Sequence, residues 1–311
     1  GVIEITTKRG SRGKPQLTYS LRLTGTYQPK GYKLLNGDDY TMLLKESYFN
    51  PEQSDKASNI PELNYDPTYS EYEQYNNNTD WIDAVTQFGL RQNHYLSVTG
   101  GGEKATFRIA GGYDHETGSV IKQQLDRFAT RVALDYYVSD RIKISTNFAL
   151  TYTKNQKNYD DLLALAYKKM PNMSIYEYDV NGNVTGNYFN MLPLAATYGT
   201  SSTTALPQNG YRTSYELRDQ FVNGNPVARA MKAWWKQKQY NLTPQFSVEY
   251  KLLGKENDQH RLNYVGDVQL NIYNTSNDNY CPSELKPMDW VWGGDNAAQL
   301  TSNERNVVSN D

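Results

Sequence analysis

RFATRVALDYYVSDRIKISTNFALTYT, residues 127–153, alternates with a period of two, and the reading of its two faces decides the fold. Phe128, Val132, Leu134, Tyr136 and Val138 fall on one set, while Ala129, Arg131, Ala133, Asp135 and Ser139 fall on the other. After the turn at Ser139-Asp140-Arg141 the pattern resumes, with Ile142, Ile144, Phe148, Leu150 and Tyr152 set against Lys143, Ser145, Asn147, Thr151 and Thr153. Two such strands make a hairpin with one apolar and one polar face. A soluble sandwich would bury the apolar face against a second sheet; a membrane barrel would turn it to lipid.

The bulk composition narrows the choice. The chain of 311 residues carries a net charge of -2, and with a pI near 6.0 it lacks the broad basic field that nucleic-acid binding uses. Mean hydropathy is -0.79, and no apolar run approaches the ~18–20 residues of a spanning helix. A β-barrel escapes that test, because its strands are only half apolar and its outer loops are polar. The one cysteine, Cys281, has no internal disulfide partner and no metal or redox spacing around it. Aromatic residues are dominated by Tyr, 27 against 8 Phe, which suits wet interfaces better than dry cores. The chain opens on GVIEITTKRG without a signal-peptide pattern and is read as a piece of a longer protein.

Seven segments repeat the alternation. Leu17, Tyr19, Leu21, Leu23 and Tyr27 oppose Thr18, Ser20, Arg22, Thr24 and Thr26. NHYLSVTG and ATFRIAGGYDHE follow, the second with Phe107, Ile109 and Tyr113 against Thr106, Arg108 and Asp114, and then the hairpin above. Leu242, Phe246, Val248, Tyr250 and Leu252 oppose Gln245, Ser247, Glu249 and Lys251; Leu262, Tyr264, Val268, Leu270 and Ile272 oppose Asn263, Asp267, Gln269 and Asn271. GGGEK, SDR and LGKENDQ are short links, whereas the connections before the second strand and after Asn155 far exceed the usual ~4–6 residues. Short turns at one rim and long loops at the other are the layout of an outer-membrane barrel. Arg131 on the lipid side would cost ~2–4 kcal/mol near the bilayer midplane. The Leu134 face is therefore expected to look outward, and Arg22, Arg108, Arg131, Asp135, Lys143, Glu249 and Asp267 to line a wet lumen.

The loops carry their own signals. NGDDYTMLLKESYF and DDLLALAYKKMPN read as short helices, the second stopped by Pro171, and DVNGNVTG reads as a turn. The pairs Asp38/Asp39 and Asp160/Asp161 stand at helix starts, where acids favour the dipole, and do not straddle a substrate as glycosidase carboxylates do. His94, His115 and His260 lack metal-ligand spacing. GGGEKAT lacks the ending of a phosphate loop and precedes a strand. No catalytic, cofactor or metal site is expected. Tyr176, Tyr178, Tyr188, Tyr198, Tyr211, Trp234, Trp235, Trp290 and Trp292 are the candidates for ligand or partner contact, since aromatic faces suit sugar rings; packing between loops is the alternative for each.

These residues resemble the SusC/RagA type of TonB-linked outer-membrane transporters. GVIEITTKRG is similar to the last strand of that family's plug; NTDWIDAVTQFGLRQNHYLSVTGGGEKATFRIAGGYDHETGSV resembles the end of its first outer loop with the second and third strands. LALAYKKMPNMSIYEYDVNGNVTGNYFN and GNPVARA look like its third outer loop, and NIYNTSNDNYCPSEL like a strand end entering the next loop. The resemblance implies an all-β fold, part of a roughly 22-stranded antiparallel transmembrane barrel closed by a plug. It divides the chain into residues 1–10 (plug strand), 11–16 (linker) and 17–311 (barrel wall with outer loops near 30–91, 155–239 and 276–311). It further implies uptake of oligosaccharides or peptides across the bacterial outer membrane, with a SusD-like surface lipoprotein and with TonB contacting a region outside this stretch. A passive porin or adhesive barrel, and a secreted carbohydrate-binding sandwich, are the competing expectations.

Overall fold

The computed structural model describes residues 8–52, 72–189, 224–254, 260–282, 285 and 305–310. It consists of one large antiparallel sheet and a layer of loops at one rim. The strands are β1 (Gly13–Thr26), β2 (Gly89–Gly101), β3 (Ala105–Thr117), β4 (Gln124–Tyr137), β5 (Ile142–Lys157), β6 (Tyr176–Tyr178), β7 (Val184–Tyr188), β8 (Trp234–Leu253), β9 (Leu262–Gln269), β10 (Ile272–Cys281) and β11 (Arg305–Asn310). The sheet is nine-stranded in the order β1-β2-β3-β4-β5-β8-β10-β11, with β9 also on β8; β6 and β7 form a separate hairpin. Among the described residues the sheet stays open, with β1 bonded only to β2.

β9 and β10 are two halves of one long strand. β8 pairs with β9 through Gln245–Leu253 and with β10 through Trp234–Leu242. The break falls at Pro244, which has no N–H to give to the ladder; its carbonyl instead accepts from the Leu270 N–H at 3.0 Å. The tight turns follow local chemistry. Ser139 Oγ accepts from the N–H groups of Arg141 and Ile142, closing the β4–β5 turn. Gly254 sits at φ +79 after β8, where a Cβ would lie 2.3 Å from the His260 carbonyl oxygen.

The strand ends that the three short links join lie at one rim, as expected, and those that the long connections join lie at the other. β2 starts earlier than NHYLSVTG, at Gly89, and β11 is an added strand inside the stretch read as loop 276–311. The loop layer holds α1 (Gly37–Glu52), α2 (Tyr72–Tyr75), α3 (Trp81–Val85), α4 (Leu162–Tyr167) and α5 (Pro226–Lys232). Asn36 Oδ1 accepts from the Asp39 N–H ahead of α1, and Asp161 caps α4 through the Ala164 N–H. Both helices fall where the sequence placed them.

The apolar core lies in this loop layer and not on the sheet. Leu44, Tyr75, Trp81, Val85, Val120, Leu162, Ala166, Met170, Met173, Phe189, Val227 and Ala230 form one buried cluster. A sheet that meets lipid needs no second apolar layer, so only the water-exposed loops must build a core of their own.

Candidate functional site

The register separates the sheet into two chemically opposite faces. Residues directly opposite one another share a face. One row runs Leu17, Val98, Ile109, Val132, Phe148, Pro244; the next runs Tyr19, Leu96, Gly111, Thr130, Leu150, Leu242, Ile272. None of the described residues covers this face: Leu17, Leu23, Phe246 and Val268 are each more than half exposed, and Leu96, Ile109, Phe128 and Leu134 stand open beside them. Tyr113, Phe128, Tyr152 and Tyr240 make an aromatic row at the loop side, and Tyr136, Tyr250 and Tyr264 border the turn side. From Tyr250 to Tyr240 the strand advances about 33 Å, or about 25 Å in height at the tilt of a membrane barrel. That equals the apolar band of such barrels.

The other face is polar, and the register puts Arg22, Arg108, Arg131, Asp135, Lys143, Glu249 and Asp267 all on it. Small and polar residues crowd there: Ser97, Thr106, Ala110, Ala133 and Ser145 are buried while the large apolar residues behind them are open. This inverts the arrangement of a water-soluble sheet. Arg108 donates to Tyr95 Oη at 2.9 Å, and Gln245 Nε2 donates to both oxygens of Asp267. Lys143 and Glu249 stand opposite each other on β5 and β8. Arg22 and Arg131 are exposed.

Asp135 is the hub of this face. Only 5% exposed, it accepts from Arg9 Nη1 at 2.5 Å and Ser145 Oγ at 2.6 Å, with Lys143 Nζ at 3.7 Å. Arg9 therefore ties the segment ahead of β1 across the polar face. Gly10 makes the approach possible, because a Cβ there would lie 2.5 Å from the Phe107 backbone nitrogen. Arg12 follows, its guanidinium 5.6 Å from the Tyr137 ring centre. Sequence reading identified Asp135 by face but gave no sign of its partner, since nothing in a two-residue period points 126 positions away.

At the loop rim the first and third long loops are sewn together. Asn77 N–H donates to the Asn172 carbonyl, Thr79 N–H to Pro171, Ser174 N–H to Gln74, and Trp81 Nε1 to Met170 at 2.9 Å. Asn225 caps α5 through the N–H groups of Val227 and Ala228 while its Nδ2 donates to the Ile175 and Phe189 carbonyls. An open cleft of about 250 Å³ lies between α1 and residues 75–77, bordered by Asp38, Lys45, Asn76 and Asn172. None of the described aromatic candidates borders it.

Tyr176 and Tyr188 stack across the β6–β7 hairpin at 5.4 Å, with Tyr178 half-buried beside them. Trp234 and Trp235 open β8 and do not lie in the loop: Trp234 packs against Tyr280 at 4.5 Å, and Lys157 Nζ lies 5.0 Å from the Trp235 ring centre. Tyr198, Tyr211, Trp290 and Trp292 fall outside the described residues, as does most of the plug-like start, residues 1–7.

Lys169 is a residue that sequence reading passed over. Its ammonium is buried without a hydrogen-bond partner among the described residues and faces the Trp81 ring at 5.4 Å. Burial, with the Arg229 guanidinium nearby, pushes its pKa down to about 7. Arg229 itself is held by Asp160 at 2.5 Å. The folded loop layer thus binds fewer protons than the unfolded chain between pH 7 and the ordinary lysine range, so its stability rises with pH across that window and is lowest below about 7. Tryptophan-fluorescence melting of the loop layer is expected to gain on the order of 2 kcal/mol from pH 7 to 9. Lys169→Met should flatten that dependence and raise stability at pH 7; an unchanged slope would refute the assignment.

No family model matches the chain. Among curated proteins it is 26% identical over 236 residues to TonB-dependent receptor P3 of Formosa agariphila, covering 72% of this chain and 21% of that protein. It is also 26% identical over 235 residues to TonB-dependent receptor SusC of Bacteroides thetaiotaomicron, with coverage of 72% and 21%. The chain spans about a fifth of the length of these relatives. Among solved structures it aligns with the RagAB peptide importer in the open-open state at a TM-score of 0.56, with 14% identity over 92% of this chain and 30% of that one. The closed-closed state of that importer gives 0.55, with 13% identity over 91% and 31%. Sequence and fold agree with the exposed apolar band: over 72% of its length the chain is similar to TonB-dependent receptors, and it shares the fold of part of the RagAB importer.

Proposed function

We propose that this chain forms part of an outer-membrane, TonB-dependent importer of oligosaccharides or peptides that works with a SusD-like surface lipoprotein. The observation that carries the reading is the pairing of an uncovered apolar band with a polar opposite face that already holds the segment ahead of β1 through Arg9 and Asp135. An importer needs a wall that lipid can wet outside and a wet, obstructed interior. In this reading Arg22, Arg108, Arg131, Asp135, Lys143, Glu249 and Asp267 line that interior, and residues 1–10 and 11–16 are the end of the plug and its linker. The names of the relatives, receptors dependent on TonB, support it, as does the name of the structural neighbour, a peptide importer. The Tyr176–Tyr188 stack offers flat faces to a sugar ring or a peptide side chain, and the loop core holds that hairpin in place.

The test is to extract outer membranes from cells expressing the tagged complete receptor, purify it in detergent, and identify companions by mass spectrometry. A surface lipoprotein at equal stoichiometry is the expected result. Purification alone would argue for a porin or adhesive barrel, and recovery in the soluble fraction would overturn the membrane reading itself.

A further inference from the structure

Lys154 and Lys238 stand directly opposite each other on β5 and β8. Like charges in that position repel, and neither makes an ion pair or hydrogen bond with any described residue. Asp126 on β4 stands opposite Lys154 on its other side without an ion pair to it, its oxygens accepting instead from Tyr113 and Gln124 and contacting His115. Lys236, two residues along β8 on the same face, lies 4.4 Å over the Trp234 ring and opposite Asp278. Immediately below the lysine pair, Tyr152 and Tyr240 pack at 4.7 Å and end the apolar band on its loop side. Two ammoniums without an ion-pair partner among the described residues thus sit where the apolar face stops, on the lipid side of the wall, above one aromatic pair and below another ring.

We propose that this patch binds the phosphate of a membrane glycolipid headgroup, with the phosphate between Lys154 and Lys238 and its sugar against the flanking rings; the proposal rests on the membrane reading above. Charge complementarity selects the occupant. A phosphate oxygen set between the two amines converts the repulsion into two charge-assisted hydrogen bonds, and the long lysine stems carry their charge from the apolar band into the headgroup layer. A neutral headgroup would leave the repulsion in place.

The test uses the complete receptor in detergent and native mass spectrometry with two probes, lipid A and the same lipid after enzymatic removal of its phosphates. Lipid A is expected to stay bound, and K154Q/K238Q to weaken it at least about tenfold, the scale of one lost charge-assisted contact. Removing mutual repulsion should leave folding intact, checked by the heat-dependent shift in gel mobility. Equal retention of the dephosphorylated lipid, or unchanged binding by the double variant, would overturn the proposal. Displacement by inorganic phosphate alone would make the patch a free-anion site and also overturn it. A receptor that needs no detergent would defeat the membrane reading first, and that result is separate from any of these.

Discussion

Trp81→Ala is expected to melt the loop layer while leaving the wall assembled. Trp81 is 3% exposed, opens α3, and donates its indole N–H to the Met170 carbonyl, so it joins the first long loop to the third. Removing the ring costs ~3–5 kcal/mol in cavity and transfer terms, and the Met170 carbonyl loses its donor. Lys169 also loses the aromatic face beneath its ammonium. Hydrogen exchange in detergent should show protection falling by roughly two to three orders of magnitude at residues 79–86 and 170–175, with the β3–β4 and β4–β5 ladders unchanged. Trp81→Phe, which keeps most of the volume and drops the N–H, should cost about 1–2 kcal/mol. Loss of protection spreading into the β4–β5 ladder would show that loop layer and wall are one cooperative unit.

Val132→Arg is expected to block membrane assembly, although an arginine is already accommodated one residue earlier. Val132 lies mid-band between Ile109 and Phe148, whereas Arg131 lies between Ala110 and Ala149 on the polar face. A guanidinium at the band centre costs ~2–4 kcal/mol; on the exposed face of a water-soluble sheet the same change falls within about ±0.5 kcal/mol. The measurement is the folded fraction after refolding into lipid vesicles, read by heat-dependent gel mobility. Arg131→Gln should refold like the parent. Equal refolding of Val132→Arg would mean that the apolar face does not meet lipid.

The wall was legible in the sequence because a two-residue period reports face directly, and the parity of loop lengths reports rim. Phe128 against Arg131 and Ile144 against Lys143 sufficed for β4 and β5, and Asn36 and Asp161 marked two helix starts. The loop layer was not legible, because its contacts join aperiodic segments far apart in sequence. No local signal places Trp81 beside Met170, buries Lys169, or sends Arg9 to Asp135. Trp234 and Trp235 were misplaced into the loop because their neighbours Lys236, Gln237 and Lys238 are polar on both faces, which hides the alternation at the end of β8. Candidate contacts were therefore chosen by residue type alone, and of those described the structure stacks Tyr176 on Tyr188.

The ion pair between Arg9 and Asp135 also bears on the order in which the protein is built. From β2 to β5 each strand pairs with its sequence neighbour across a short link, so this part of the wall can zip up hairpin by hairpin at little loop-closure cost. Arg9 has no such local route: its anchor comes into being only when β4 and β5 bring Asp135 and Ser145 together. The segment ahead of β1 must therefore wait for the β4–β5 pairing before it can be seated, and it arrives after the part of the sheet it leans on.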